Sequence, residues 1–194
     1  DPLPRAFYAR PATTVARALL GRLLVRDAGR VRLVGRIVEV EAYGGARDPA
    51  SHAFRGETPR NRTMFGPPGH AYVYFTYGMH HCLNVVTGSS GRAGAVLIRA
   101  VEPIAGIAAM TRRRGPVPRE RLARGPGCVA LAFGLTRADD GTDLTLGPLW
   151  LADRPARRQG RPVAVSVRIG ITRAASRPWR FYLAGHPSVS GRPA

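Results

Sequence analysis

The stretch HAYVYFTYGMHHCLNVVT, residues 70–87, restricts this chain most strongly to a β-rich fold. Tyr72 and Tyr74 have the same parity, so on a strand their side chains point to one face of the sheet. Tyr77 breaks this parity, and Gly78 after it supplies the permissive backbone that a tight turn needs. The stretch therefore predicts an antiparallel hairpin with two tyrosines on one face and Tyr77 at its tip.

Strand-like runs also dominate the rest of the chain. The clearest of them are RLLVRD, VRLVGRIVEVEAY, GAVLIRAVEP, VAVSVRIGIT and WRFYLAG. Helical patterns are few and short, namely ATTVARALLG, IAGIAAMTRRR and PGCVALAFGL. No repeat or low-complexity linker divides the 194 residues. We therefore predict a single α+β domain over residues 1–194, with a mostly antiparallel sheet and peripheral helices.

The charge points to a polyanionic partner. Thirty arginines and no lysine face twelve acidic residues, which gives a net charge of +18. Nucleic acid is the first expectation and an anionic membrane surface the second. No stretch is long and apolar enough to span a membrane, and the start lacks the layout of a secretion signal, so we expect a cytosolic protein. Without lysine, Schiff-base catalysis by a lysine amine is excluded.

The run RIVEVEAY, residues 36–43, alternates between an apolar face and a face with two carboxylates. The apolar face consists of Val38, Val40 and Ala42, and the other face of Ile37, Glu39, Glu41 and Tyr43. We expect the apolar face in the core and the carboxylates on the opposite surface. There the two glutamates either pair with nearby arginines on an exposed strand, or one of them serves a reaction within a nucleic-acid-binding cleft.

Three further positions stand out because of their surroundings. Arg99 is flanked by apolar residues, where a cation is costly unless it reaches a carboxylate, a phosphate or the surface. Exposure at a sheet edge and pairing with Glu41 or a bound phosphate both stay open. His52 lies in a loop rich in Pro, Gly and Arg, a composition typical of functional loops. In that loop Arg60 and Arg62 either contact phosphates or form solvated charge pairs.

The neighbours His80, His81 and Cys82 suggest a metal site at first sight. Strand alternation sends His80 and Cys82 to one face and His81 to the other, and no second ligand pair has zinc-like spacing. We therefore expect no metal. A metal-dependent nuclease would also need a carboxylate cluster that the sequence does not contain.

Taken in order, these motifs resemble the alkyladenine (3-methyladenine) DNA glycosylase family. The resemblance rests on GRIVEVEAY, His52, TPRNRTMFGPPGHAYVYFTYGMHHCLNV and GAVLIRAVEP, and it extends to RFYLAGHPSVS. It implies a single mixed domain around a curved antiparallel sheet from which the hairpin protrudes. It also implies a monomer without a cofactor.

The resemblance implies a role for each matching residue. Glu41 corresponds to the general base, Arg99 to the arginine near the catalytic water, and Tyr77 to the residue that wedges into the DNA minor groove. The base-binding pocket corresponds to Tyr43, His52, Tyr74 and Asn84, of which Asn84 disfavours normal guanine. Cys128 stands where the family has a lysine, so one contact to a phosphate or base step is not carried over.

The implied activity is that of a monofunctional DNA glycosylase of base excision repair. Its partner would be double-stranded DNA containing damaged purines: 3-methyladenine, other alkylated purines, hypoxanthine or ethenoadenine. The enzyme would flip the base out and hydrolyse the N-glycosidic bond with a water activated by Glu41, leaving an abasic site. It would act in the cytoplasm at the nucleoid of a bacterium, or in a eukaryotic nucleus.

The alternative is a non-catalytic, basic nucleic-acid-binding protein. Composition alone favours it. The carboxylate of Glu41 argues against it, because a protein that only binds nucleic acid gains nothing from a negative charge among phosphates.

Overall fold

One antiparallel sheet forms the centre of the protein. The computed structural model describes residues 1–76, 78–153 and 160–191. Within them the strands are β1 (Leu23–Ala28), β2 (Val31–Tyr43), β3 (Ala71–Thr76), β4 (His80–Thr87), β5 (Gly94–Ala105), β6 (Leu149–Ala152), β7 (Val163–Ser166) and β8 (Arg180–Leu183). Their order is β3-β4-β5-β2-β1-β6, and β8 pairs with both β2 and β7. The sheet curls into a half-barrel, which confirms the predicted α+β fold.

Short helices pack on this sheet. They are α1 (Arg5–Tyr8), α2 (Ala12–Leu19), α3 (Ile107–Arg114) and α4 (Pro126–Phe133). The buried residues of α2 recur at helical spacing, so one apolar stripe faces β2 and β5. Helix α4 packs against β4 and β5 and is buried among large side chains of the main core. No helix in the described part of the chain is long and apolar enough to cross a membrane.

The predicted hairpin exists as the pair β3–β4. Tyr74 pairs with Cys82 and Tyr72 with Asn84 in an antiparallel register. The rings of Tyr72 and Tyr74 lie on one face with their centroids 5.4 Å apart, which confirms the parity argument. Gly78 has φ of +67°, a conformation that glycine adopts freely. Tyr77, predicted at the tip, lies outside the described residues.

Helix α4 begins directly against the hairpin. A Cβ added at Gly127 would lie 2.9 Å from the imidazole of His80, so only glycine allows this close approach. The neighbouring Pro126 lines the cavity described below. The start of α4 is thereby held beside the turn end of the hairpin, where His80 pairs with Thr76.

Strand β2 departs from the predicted alternation at Val38. The register with β5 shifts on both sides of Glu39. Ile37 packs in the main core with Val40 and Ala42, whereas Val38 belongs to a separate small cluster. The prediction that Ile37 shares the face of the glutamates is therefore wrong. A bulge adds one residue to the strand locally, and a shift of one residue reverses the face of a side chain.

Candidate active site

A cavity of about 300 Å³ lies where the hairpin β3–β4, the end of β2 and the chain around Ile169 meet. We call residues 167–171 the cover segment, because their main chain lies against β2 at Glu41. The predicted site residues that line this cavity are Tyr43, His52, Tyr74, Asn84 and Arg99. The structure thus brings residues from four separate parts of the chain to one concave surface.

Aromatic rings form one wall of the cavity. His52 lies edge-on to Tyr74, with ring centroids 4.5 Å apart, and its Nδ1 is 3.0 Å from the hydroxyl of Tyr72. Burial lowers the pKa of His52 below its usual range, and the positive charge of Arg60 lowers the pKa further. The imidazole is therefore neutral at physiological pH.

The tyrosines of this wall are also uncharged. Burial raises the pKa of Tyr72 to about 12 and raises the pKa of Tyr74 well above the usual value. Burial raises the pKa of Tyr43 as well, and the carboxylate of Glu41 raises it further. The cavity therefore presents neutral π faces, which attract a cation.

Glu41 is fully buried directly behind the cavity wall. Its Oε1 accepts a hydrogen bond of 2.7 Å from the main-chain N–H of Ile169 and lies 3.3 Å from Nη1 of Arg99. Its Oε2 accepts a hydrogen bond of 2.9 Å from the hydroxyl of Tyr43. These three donors line the cavity, whereas Glu41 itself does not. They fix the orientation of the carboxylate and separate it from the cavity.

Glu39 is buried in an ionic network next to Glu41. Its Oε1 accepts from Nε of Arg99 at 3.0 Å and from Nε of Arg180 at 2.7 Å. The main-chain N–H of Ser190 donates to Oε2 at 2.6 Å. The negative charges of two carboxylates and the positive charges of two guanidinium groups thus compensate each other in the interior, where buried charges need a partner.

Both predictions about these charges now have an outcome. The carboxylates were expected on a surface, and this is wrong, because the cover segment and the chain at Ser190 bury them. For Arg99, pairing with Glu41 is confirmed over exposure at an edge. Burial by itself would lower the pKa of Arg99, but Glu41 and Glu39 outweigh it and raise the pKa.

The remaining predicted residues lie on the hairpin and in the loop before it. Asn84 is buried, and its Nδ2 donates to the carbonyl oxygen of Tyr72 at 3.3 Å. The guanidinium of Arg60 lies 5.9 Å from the ring centroid of Tyr74. Arg62 forms an exposed pair of 3.4 Å with Glu57. Arg60 is therefore part of the surroundings of the cavity, and Arg62 is a solvated charge.

Comparison with known proteins assigns this chain to a family. The model of the family described as Methylpurine-DNA glycosylase (MPG) matches residues 6–187. A relative from Methanoculleus marisnigri is 51% identical over 192 residues, covering 98% of this chain and 99% of its own. Relatives from Burkholderia lata (50% over 196 residues, 97% and 91%) and Carboxydothermus hydrogenoformans (48% over 188 residues, 97% and 98%) are similar to it as well. All three carry the provisional name 3-methyladenine DNA glycosylase.

The chain belongs to the methylpurine-DNA glycosylase family. It is therefore a DNA repair enzyme, a hydrolase that cleaves N-glycosidic bonds in DNA.

Sequence reasoning missed several residues around the cavity of this glycosylase. Tyr72, Cys82 and Pro126 line it, as does the cover segment at residues 169–171. The cover segment had a usable signal, since Arg168 in VSVRIGIT is an arginine among apolar residues, as Arg99 is. Cys128, which departs from the family pattern, is partly exposed in the first turn of α4, two residues after Pro126.

No group of three metal-ligating side chains lies together in the described ranges.

Proposed function

We propose that this protein is a monofunctional glycosylase of base excision repair that releases 3-methyladenine and other alkylated purines from duplex DNA. The observation that carries the proposal is the fixed carboxylate of Glu41 directly behind a cavity that has uncharged aromatic rings along one wall. A cavity of about 300 Å³ is at the small end of the range for ligand sites, as suits a single base.

The base must leave the duplex before it can enter this cavity. Atoms of a stacked base are out of reach, so enzymes of this kind rotate the nucleotide out, at a cost of a few kcal/mol. Thr76 lines the cavity, and Tyr77 follows it directly in the sequence. We assign to Tyr77 the role of a wedge that fills the gap left in the stack.

Charge selects the base. An alkylated purine such as 3-methyladenine is positively charged, and contact with the π faces of Tyr43 and Tyr74 contributes roughly 0.5–2 kcal/mol. Neutral His52 completes this surface without repelling the cation. Asn84 is assigned the exclusion of normal guanine, and the hydrogen bond from its Nδ2 to Tyr72 holds its amide in place.

Glu41 activates the water that replaces the base. The water oxygen attacks C1′ of the sugar, its proton passes to the carboxylate, and the bonding electrons leave with the purine. A cationic purine is already a good leaving group, so no acid partner is needed. Because Glu41 is fully buried, water reaches its carboxylate only when one of the three groups that contact it moves aside. The contact with Arg99 is the longest of the three, at 3.3 Å.

The sequence also bears on the product. It contains no lysine, so the amine of the amino terminus is the one amine that could attack in place of water. We assign the attack to water, which leaves an intact-backbone abasic site. Double-stranded DNA with damaged purines is thus the partner, and the protein acts as a monomer. Arg60 and Arg62 are assigned contacts to its phosphates.

Duplexes that each carry one defined lesion test this proposal. We expect release of the free alkylated base, strand breaks only after alkali, and no enzyme–DNA adduct trapped by borohydride. Normal duplexes of the same sequence serve as the control. Failure to release any alkylated purine would refute the assignment, and an adduct trapped on an intact native amino terminus would refute the water mechanism.

A further inference from the structure

One buried ion pair supports the cavity from behind. The guanidinium of Arg168, fully buried, binds the fully buried carboxylate of Asp48 through two bonds of 2.5 and 2.9 Å. The same guanidinium donates to the carbonyl oxygens of Ala42 at 3.0 Å and of Ala174 at 3.4 Å. Arg168 therefore ties the cover segment to β2 and to the loop that follows β2.

The guanidinium of Arg168 also stacks on aromatic rings. It lies 4.7 Å from the ring centroid of Tyr43 and 5.3 Å from that of Trp179. A ring has two faces, and Arg168 takes one face of Tyr43. Only the other face is left for a base, so the rotation and position of this ring are set before any base arrives.

The main chain next to Arg168 holds the carboxylate. Ile169 donates its N–H to Glu41, and residues 169–171 line the cavity. The side chain of Arg168 thus fixes the position of the Tyr43 ring, while the neighbouring Ile169 fixes the orientation of the Glu41 carboxylate. Arg168 therefore supports both the base-binding ring and the carboxylate of the proposed site.

The charge of Asp48 matters as much as its bonds. Arginine keeps its proton in proteins, so an unpaired Arg168 would place a positive charge behind the ring that receives a cationic base. Asp48 cancels that charge, and the hydrogen bonds and charge of Arg168 keep the pKa of this carboxyl below its usual value despite burial. A second cation near Asp48 is Arg177, at 3.9 Å, whose side chain is partly exposed and therefore screened by water.

We propose that the pair Arg168–Asp48 positions Tyr43 and Glu41 and, by its neutrality, maintains the preference of the site for cationic over neutral damaged bases. This inference rests on the proposed function. It assigns roles to two residues that are not proposed to touch the base or the water. Arg168 and Asp48 are positioning residues, because they act through Tyr43 and Ile169.

The test compares two lesions in each of several variants. Second-order single-turnover rate constants are measured for 7-methylguanine, which is cationic in DNA, and for hypoxanthine, which is neutral. The ratio of the two constants cancels any loss of folded enzyme. In Asp48→Asn the positive charge of Arg168 is unpaired, and the ratio of the 7-methylguanine constant to the hypoxanthine constant should fall by roughly tenfold, the scale of one unit charge acting across a ring. In Arg168→Gln the negative charge of Asp48 is unpaired, and the same ratio should rise.

The double variant Asp48→Asn with Arg168→Gln removes the clamp without leaving a buried charge. It should release both bases at least tenfold more slowly while the ratio returns to that of the wild type. Circular dichroism reports folding, and if neither single variant folds, the rates of the double variant decide the matter. A wild-type ratio in a folded single variant, or wild-type rates in the double variant, would overturn the inference.

These outcomes differ from a failure of the proposed function. If the wild type releases no alkylated base, or if Glu41→Gln is fully active, the proposed function itself is wrong. If both behave as proposed and the ratio does not change, only the role of Arg168 and Asp48 is wrong.

Discussion

Tyr43 donates a hydrogen bond of 2.9 Å from its hydroxyl to Oε2 of Glu41. The two residues are two positions apart on β2, so the strand itself aligns an aromatic wall with a carboxylate. Burial and the negative charge of Glu41 raise the pKa of Tyr43, which keeps the phenol protonated as the donor. The ring that would hold the base and the carboxylate that would activate water are therefore fixed relative to each other.

Replacing Glu41 by glutamine should separate binding from chemistry. Glutamine keeps the shape but cannot accept a proton from water, so base release should fall by at least roughly 10²–10⁴-fold. Lesion binding should persist, as measured by equilibrium titration beside single-turnover rates. Tyr43→Phe is the milder comparison, because it removes one donor and keeps the ring, and should slow release by about tenfold. Normal rates in Glu41→Gln would show that Glu41 is not the base.

Local patterns were sufficient for the hairpin. Period-two spacing placed Tyr72 and Tyr74 on one face, and the glycine after Tyr77 marked the break between the strands. The argument about a cation among apolar residues also gave pairing of Arg99 with a carboxylate as one of its alternatives, and this is the one found in the structure. Both inferences needed only neighbours in the sequence or a general cost of burial.

The burial of Glu39 and Glu41 could not be predicted in this way. The main-chain groups that cover them belong to Ser190 and Ile169, which are 151 and 128 positions away in the chain. Strand alternation describes two faces but does not say whether a distant segment covers one of them. The bulge at Val38 has a similar origin, because it exists only in the pairing of β2 with β5.

Removing the charge of Glu39 should destabilise the fold strongly. Glu39→Gln leaves Arg99 and Arg180 without their shared carboxylate in the interior, and breaking such a buried pair costs about 3–5 kcal/mol of the free energy of unfolding. Glu57→Gln is the matched control, since it breaks an exposed pair with Arg62 and should cost less than about 1 kcal/mol. Urea denaturation measures both values. Similar losses in the two variants would contradict the importance of burial.

The salt dependence of DNA binding should identify arginines that contact phosphates. The logarithm of affinity should fall with the logarithm of salt concentration, and each phosphate contact removed should reduce the slope by about 0.9. We expect this reduction in Arg60→Gln and in Arg62→Gln. Arg32→Gln changes the net charge equally at the far end of β2 and should leave the slope unchanged. The same slope in all three variants would exclude both contacts.

Removing Tyr77 should impair extrusion of the base rather than the chemical step. Tyr77→Ala leaves the gap in the stack unfilled, so lesion binding should weaken by a few kcal/mol, about the cost of unstacking a base step. The loss should be smaller when the lesion lies opposite a mismatch, because less pairing must be broken. Binding and single-turnover rates on matched and mismatched duplexes measure this difference. An equal loss on both duplexes would argue against the wedge.

The charge of His52 should set the response of the enzyme to acid. Burial and Arg60 lower the pKa of His52, so the imidazole is neutral at pH 7 and becomes charged only below pH 6.5, the usual value. The unfolded chain binds this proton more readily, so the stability that neutral His52 contributes is lost as the pH falls below about 6.5.

The charged imidazole, 4.5 Å from the ring of Tyr74, would repel a cationic base. Release of 7-methylguanine should therefore decline in acid more steeply than release of hypoxanthine. In His52→Gln, which cannot titrate, the two pH profiles should run parallel, and parallel profiles already in the wild type would show that His52 does not face the base.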